Sequence, residues 1–107
     1  MPSRRELAGD AFAYESVTVA DSSKSLTAAT YSTSNMHHPH IRAVISAEGG
    51  MMRYRYDGSD PTTTVGHLLS QGDTIIVEGG NNVKNFRAIR VGTKSGTLRV
   101  TYEGVYA

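Results

Sequence analysis

Apolar and polar residues alternate along most of this chain, and the alternation breaks at points rich in glycine, proline and aspartate. Residues 12–19 set Val17 and Val19 against Phe12, Tyr14, Ser16 and Thr18, the two-residue period of a strand with one covered face. A shorter threonine-rich segment follows at 26–31. The polar run over 32–40 reads as a loop, since Pro39 disfavours helix at His38. Ile41, Ala43, Ile45 and Ala47 then share one face, opposite Arg42, Val44 and Ser46. Glu48-Gly49-Gly50 predicts a turn, with residues 51–56 returning as a hairpin partner.

The second half repeats this arrangement. Asp57-Gly58-Ser59-Asp60-Pro61-Thr62 is a turn, Val65-Gly66-His67-Leu68-Leu69 a short apolar segment, and residues 74–78 a strand marked at both ends by Gln71-Gly72-Asp73 and Gly79-Gly80-Asn81-Asn82. Residues 86–91 and 97–102 are separated by a loop of hairpin length, 92–96. Within 86–91 the alternation slips, because Phe86 and Ala88 share one face and Ile89 and Val91 the other. That predicts either a bulge or partial cover on both faces. No convincing helix is visible. About seven short strands with glycine-marked turns predict an all-β fold, an antiparallel β-sandwich, jelly-roll-like, or a small barrel.

The same alternation names a core of Val17, Val19, Leu26, Ile41, Ile45, Met52, Tyr54, Ile75, Val77, Phe86, Ile89, Leu98 and Val100, with Leu68 and Leu69 closing one end. Each such side chain, fully buried, contributes about 1.5–3 kcal/mol. Residues 1–10 are too polar to join that core and are expected as a flexible N-terminal arm, leaving 11–107 as a single domain.

Composition narrows the chemistry. The 107 residues include no cysteine, so disulfides, thiolate metal sites and a cysteine nucleophile are excluded. Eleven basic and ten acidic residues give a net charge of +1, too balanced for the basic field of a nucleic-acid binder. No apolar run approaches the roughly 18 residues of a membrane span, and the polar start lacks the apolar core of a secretory signal. His37, His38 and His40 crowd around Pro39, but a zinc site needs three or four ligands in tetrahedral geometry, which a proline-interrupted loop supplies poorly. They read as a solvated loop, and His67 as a residue closing the loop after Asp60-Pro61. Asp57, Asp60 and Asp73 lie at turns, where aspartate commonly bonds its own backbone. Neither a Gly-x-Ser-x-Gly elbow nor a phosphate-cradling glycine loop occurs. The chain is expected to bind and not to catalyse, with no cofactor, no metal and no small-molecule substrate.

The remaining candidates are arginines and the arm. Arg53 and Arg55 share a strand face, and Arg87, Arg90 and Arg99 fall on neighbouring strand candidates, so a guanidinium patch on one sheet is expected, either solvated beside Glu78 and Glu103 or gripping a partner's carboxylates. Arg4, Arg5, Leu7 and Phe12 are the residues through which the arm would order on a neighbour, and Val105-Tyr106-Ala107 would extend the last strand or dock.

The ordered set "RYRYDGSDPTTTVGHLL … GDTIIVEG … NFRAIR … GTLRVTY" resembles a group of small tailed-bacteriophage virion structural proteins encoded near capsid genes, over residues 25–102. The resemblance implies a structural protein of the virion, made in the host cytoplasm. Its expected role is a decoration or cement protein on the head surface that binds the major capsid protein or another virion protein, with a homo-oligomer allowed. Two alternatives stand beside it: a neck, tail or fibre-associated component, and a carbohydrate-binding module using Tyr14, Tyr54, Tyr56 and Tyr102 as its platform.

Overall fold

The computed structural model describes residues 9–31 and 40–105. Eight strands and two short helices follow in order: β1 (Gly9–Val19), β2 (Lys24–Ser25), α1 (Ala28–Tyr31), β3 (His40–Gly49), β4 (Met52–Arg55), β5 (His67–Leu69), β6 (Thr74–Glu78), α2 (Gly80–Asn85), β7 (Arg87–Arg90) and β8 (Gly96–Val105). They form two four-stranded sheets, sheet A in the order β1-β8-β3-β6 and sheet B in the order β2-β7-β4-β5. Every pairing is antiparallel.

The pairings are nested. β4 pairs with β5, β3 with β6, β2 with β7 and β1 with β8. The chain is one long antiparallel hairpin rolled upon itself, which is the jelly-roll form of the β-sandwich. Two expected local hairpins therefore do not exist. β3 and β4 lie in different sheets, as do β7 and β8, so residues 50–51 and 91–95 pass between layers. These two crossings run side by side, with Gly50 N–H donating to Ser95 O at 3.0 Å and Val91 N–H to Met51 O at 2.9 Å. Glycine is what permits the contact: a Cβ on Gly50 would stand 2.0 Å from Lys94 O.

The predicted core is largely the observed one. Val17, Val19, Leu26, Ile45, Met52, Leu69, Val77, Phe86, Leu98 and Val100 are buried, with Ile41, Tyr54 and Ile75 packed against them. Leu68 does not close the end: it points to the outer face of sheet B, 51% exposed. Ile89 is half-buried opposite Arg53, and β4 and β7 stay in register, so the slip in alternation reflects partial cover on both faces and not a bulge.

A bulge does occur in β1. Ala11 pairs with Glu103 and Ala13 with Tyr102, leaving Phe12 as the extra residue, and this brings both Phe12 and Ala13 against the core. β1 also starts at Gly9, two residues before the expected boundary between arm and domain at Ala11, so Gly9 and Asp10 belong to the strand. Arg4, Arg5 and Leu7, like His37, His38, Tyr106 and Ala107, lie outside the described residues.

Both helices were missed by periodicity. α2 is a single turn in which Val83 N–H donates to Gly79 O at 3.0 Å and only Val83 is buried. It carries the chain from the edge of sheet A to sheet B.

Candidate interaction surface

Cross-strand register decides which side chains meet on each outer face. On sheet A, Tyr14 stands opposite Thr101, Thr101 opposite Val44, and Val44 opposite Ile76. One row thus crosses all four strands. Its ends are the most open, Tyr14 and Ile76 each being 58% exposed.

Ion pairs flank the row. On one side Arg42 Nε donates to Glu103 Oε1 at 2.6 Å, and its Nη1 lies 3.5 Å from Glu78 Oε2. On the other, Arg99 Nη2 donates to Glu48 Oε1 at 3.1 Å and Nη1 to Ser16 Oγ at 2.8 Å. The hydrogen bonds to Glu103 and Glu48 hold the arginines protonated, Arg42 chiefly through Glu103 and Arg99 through Tyr14 and then Glu48. Tyr14 is held below the usual phenol range by its hydrogen bond with Ser16, 3.2 Å away, and then by Arg99. The face is therefore an apolar and threonine row between two charged rims whose members are already neutralised.

The expected single arginine patch is divided by the topology. Arg53, Arg55, Arg87 and Arg90 belong to sheet B, whereas Arg99 lies on β8 in sheet A. Each also has local work. Arg53 donates to Thr63 O at 3.1 Å and Gly66 O at 2.8 Å, pinning the loop after β4. Arg55 grips Asp57 through both Nε and Nη2, at 3.1 and 2.5 Å, which lowers the Asp57 carboxyl below its ordinary range, with the Ser59 amide assisting. Arg87 Nε lies 3.5 Å from Asp60 Oδ1, a charge contact without hydrogen-bond geometry. Arg90 donates to Ser95 Oγ at 3.4 Å. Glu78 and Glu103, expected beside these arginines, pair with Arg42 instead.

The aspartates are turn residues. Asp57 Oδ1 accepts from Ser59 N–H and Asp73 Oδ2 from Ser70 N–H, while Asp60 Oδ1 accepts from Ser23 Oγ. Among the described residues no three histidines or carboxylates converge as metal ligands. Phe12, expected as an anchor of the arm, has its ring 6.5 Å from that of Tyr102.

The four tyrosines of the sugar-platform alternative do not come together. Tyr102 is fully buried, its hydroxyl donating to Glu15 Oε2 at 2.5 Å, and Tyr14 lies on the far side of sheet A. Tyr54 and Tyr56 do meet, with ring centroids 6.5 Å apart and 21° between planes, and His67 lies 5.3 Å from the first ring and 6.4 Å from the second. Phe86 backs Tyr54 at 5.5 Å. Tyr54 and Tyr56 wall a groove of about 520 Å³ whose other side is β6, with Asn82 at one end, and a smaller hollow of about 270 Å³ lies between Tyr56, His67, Arg55 and Asp57. Tyr54 and Tyr56 were expected together, whereas His67 was expected only to close the loop after Asp60-Pro61 and Asn82 only to turn the chain, because β5 and α2 reach β4 only in three dimensions. No protein-family model, curated protein or solved structure matches this chain.

Proposed function

We propose that this chain is a non-catalytic structural protein of a tailed-bacteriophage virion, a decoration or cement protein that docks on the assembled head through the outer face of sheet A. The observation that carries this reading is the row Tyr14, Thr101, Val44 and Ile76, bounded by the Arg42 and Arg99 ion pairs. An apolar centre inside a polar rim is the anatomy of a protein interface. The likeness of residues 25–102 to tailed-phage virion proteins supplies the class of partner, the major capsid protein. The jelly roll serves capsid and lectin domains alike, so the fold by itself leaves the role open.

The test compares binding to mature, expanded capsids with binding to isolated capsid subunits. The capsid should bind far better and gain heat tolerance, since a ligand that binds only the lattice stabilises the lattice. Tyr14→Ser combined with Val44→Thr should weaken that binding about tenfold or more, the loss expected when a central contact pair of an interface is truncated, and leave the unfolding transition in place. Labelled protein confined to one vertex or the tail would move the role to the neck or tail. Equal binding by the double variant would remove sheet A from the interface.

A second reading rests on the exposed Tyr56 and His67 rings, backed by half-buried Tyr54, beside Arg55, Asp57 and Asn82, since open rings next to planar polar groups suit a sugar. Binding on a glycan array that is lost in Tyr56→Ala would favour it over head decoration.

A further inference from the structure

Among the described residues each four-stranded sheet leaves two edges, and an unpaired edge offers N–H and C=O groups to any extended chain. Three of the four edges here carry features that oppose such pairing. β1 is bent by the bulge at Phe12, β2 is two residues long and includes Lys24, and β5 is three residues long. β6 has none of them. Thr74-Ile75-Ile76-Val77-Glu78 contains no proline, no lysine and no register shift against β3, and the apolar Ile76 stands exposed at its centre.

The ladder shows which groups that edge presents. Gly79 N–H donates to Ile41 O and Ala47 N–H to Asp73 O, each at 2.9 Å, at the two ends of a register running from Arg42 opposite Glu78 to Ser46 opposite Thr74. Bonded and non-bonded pairs alternate in an antiparallel ladder. Ile75 and Val77 therefore bond to β3, whereas Thr74, Ile76 and Glu78 direct their backbone groups away from the sheet. Asn82 Nδ2 donates to Glu78 O at 2.9 Å, which steadies one end and leaves that carbonyl a second lone pair.

We propose that β6 of a second copy of this chain completes the edge, antiparallel and centred on Ile76, joining the two A sheets into one. A two-fold contact requires a patch that fits itself, and this register does. Ile76 exchanges both backbone hydrogen bonds with its own counterpart. Thr74 faces Glu78 of the second copy, so hydroxyl meets carboxylate and no like charges oppose each other. A two-residue slide toward the C-terminus would press the Glu78 carboxylate against Ile76, and the opposite slide would run the strand into the Gly72 turn. In the centred register the row from Tyr14 to Ile76 continues unbroken into the second copy, so the dimer presents the face assigned above to docking twice.

Sedimentation velocity over a concentration series should show a reversible dimer of the full chain. Ile76→Lys sets two ammonium groups against each other and should weaken the dimer about a hundredfold or more, as like charges in direct opposition do. At a dilution where both chains are monomers, its thermal midpoint should equal that of the parent, because the side chain is exposed. Ile76→Cys should form an intermolecular disulfide under mild oxidation, since opposed residues of a bonded pair place their Cα atoms about 5.5 Å apart. Thr74→Cys, whose counterpart is Glu78, should not. A chain monomeric at every concentration, an Ile76→Lys dimer as tight as the parent, or cross-linking through position 74 instead of 76 would each overturn the pairing. A monomer that captures a foreign extended peptide on β6 would also reject it. All of these are read on the free protein, so they succeed or fail separately from capsid binding.

Discussion

Tyr102 shows how one residue can hold a polar group at the centre of an apolar core. Its ring is fully buried between Phe12 and Tyr31, and its hydroxyl reaches the Glu15 carboxylate, which also accepts from Thr27 N–H at 3.1 Å. Burial, and then the Glu15 hydrogen bond, push the phenol far above its ordinary range. A group whose folded pKa is raised contributes stability that is complete below the unfolded value, about 10 for tyrosine, and is lost as pH rises above it. Stability should therefore fall above about pH 10, and Tyr102→Phe should flatten that fall while costing about 1.5–3 kcal/mol at neutral pH, the worth of a hydrogen bond to a charged group. Urea titrations at neutral and alkaline pH give both quantities. An unchanged alkaline slope would mean that Tyr102 does not govern it. The signal for burying Tyr102 was legible, since it follows Leu98 and Val100 at the two-residue period, although Tyr102 was expected on an exposed sugar platform and not in the core. Its partner was not, because Glu15 sits in what reads as the middle of a strand with no mark of an inward carboxylate.

At the scale of elements, strands were easier to read than their neighbours. The alternation over residues 41–47 and 97–102 matches β3 and β8 face for face, and Leu98→Ala should accordingly cost about 2–5 kcal/mol, the loss seen when a buried leucine leaves a cavity. Thr97→Ala, on the outer face, should stay within about 0.5 kcal/mol. Similar losses at both would mean the faces are inverted. What local pattern does not reveal is whether a glycine turn closes a hairpin or crosses between sheets. Glu48-Gly49-Gly50 and residues 92–96 look like hairpin turns, yet both cross, and the contact between them is the reason for Gly49, Gly50 and Gly96. Gly50→Ala should cost about 1–3 kcal/mol or more, as overpacking a tight site does, because its Cβ would meet the Lys94 carbonyl. Gly92→Ala, with open space around it, should be near neutral. Chemical denaturation of the two variants measures the difference. α2 escaped notice for a different reason: Gly-Asn-Asn-Val-Lys-Asn has poor helix formers and one apolar residue, so tertiary closure and not propensity forms it.

Over the whole molecule, sequence told which arginines face outward but not which sheet they face outward from. Arg99 follows Arg87 and Arg90 closely along the chain and ends on the opposite layer, because β7 and β8 belong to different sheets. The docking row was illegible for the same reason, since Tyr14, Val44, Ile76 and Thr101 are widely spaced in sequence and only register unites them. The nested pairing that produces these juxtapositions also orders events in time. During synthesis β1 emerges first, and the strand it pairs with, β8, emerges last of the eight. β4 and β5 close the shortest loop, and each pair outward closes a longer one, at an entropic cost that grows with loop length. Folding of this kind is expected in about milliseconds to seconds, and it cannot finish on a ribosome that still holds residues 96–105. Until that segment is free, the longest strand of the protein waits without its neighbour.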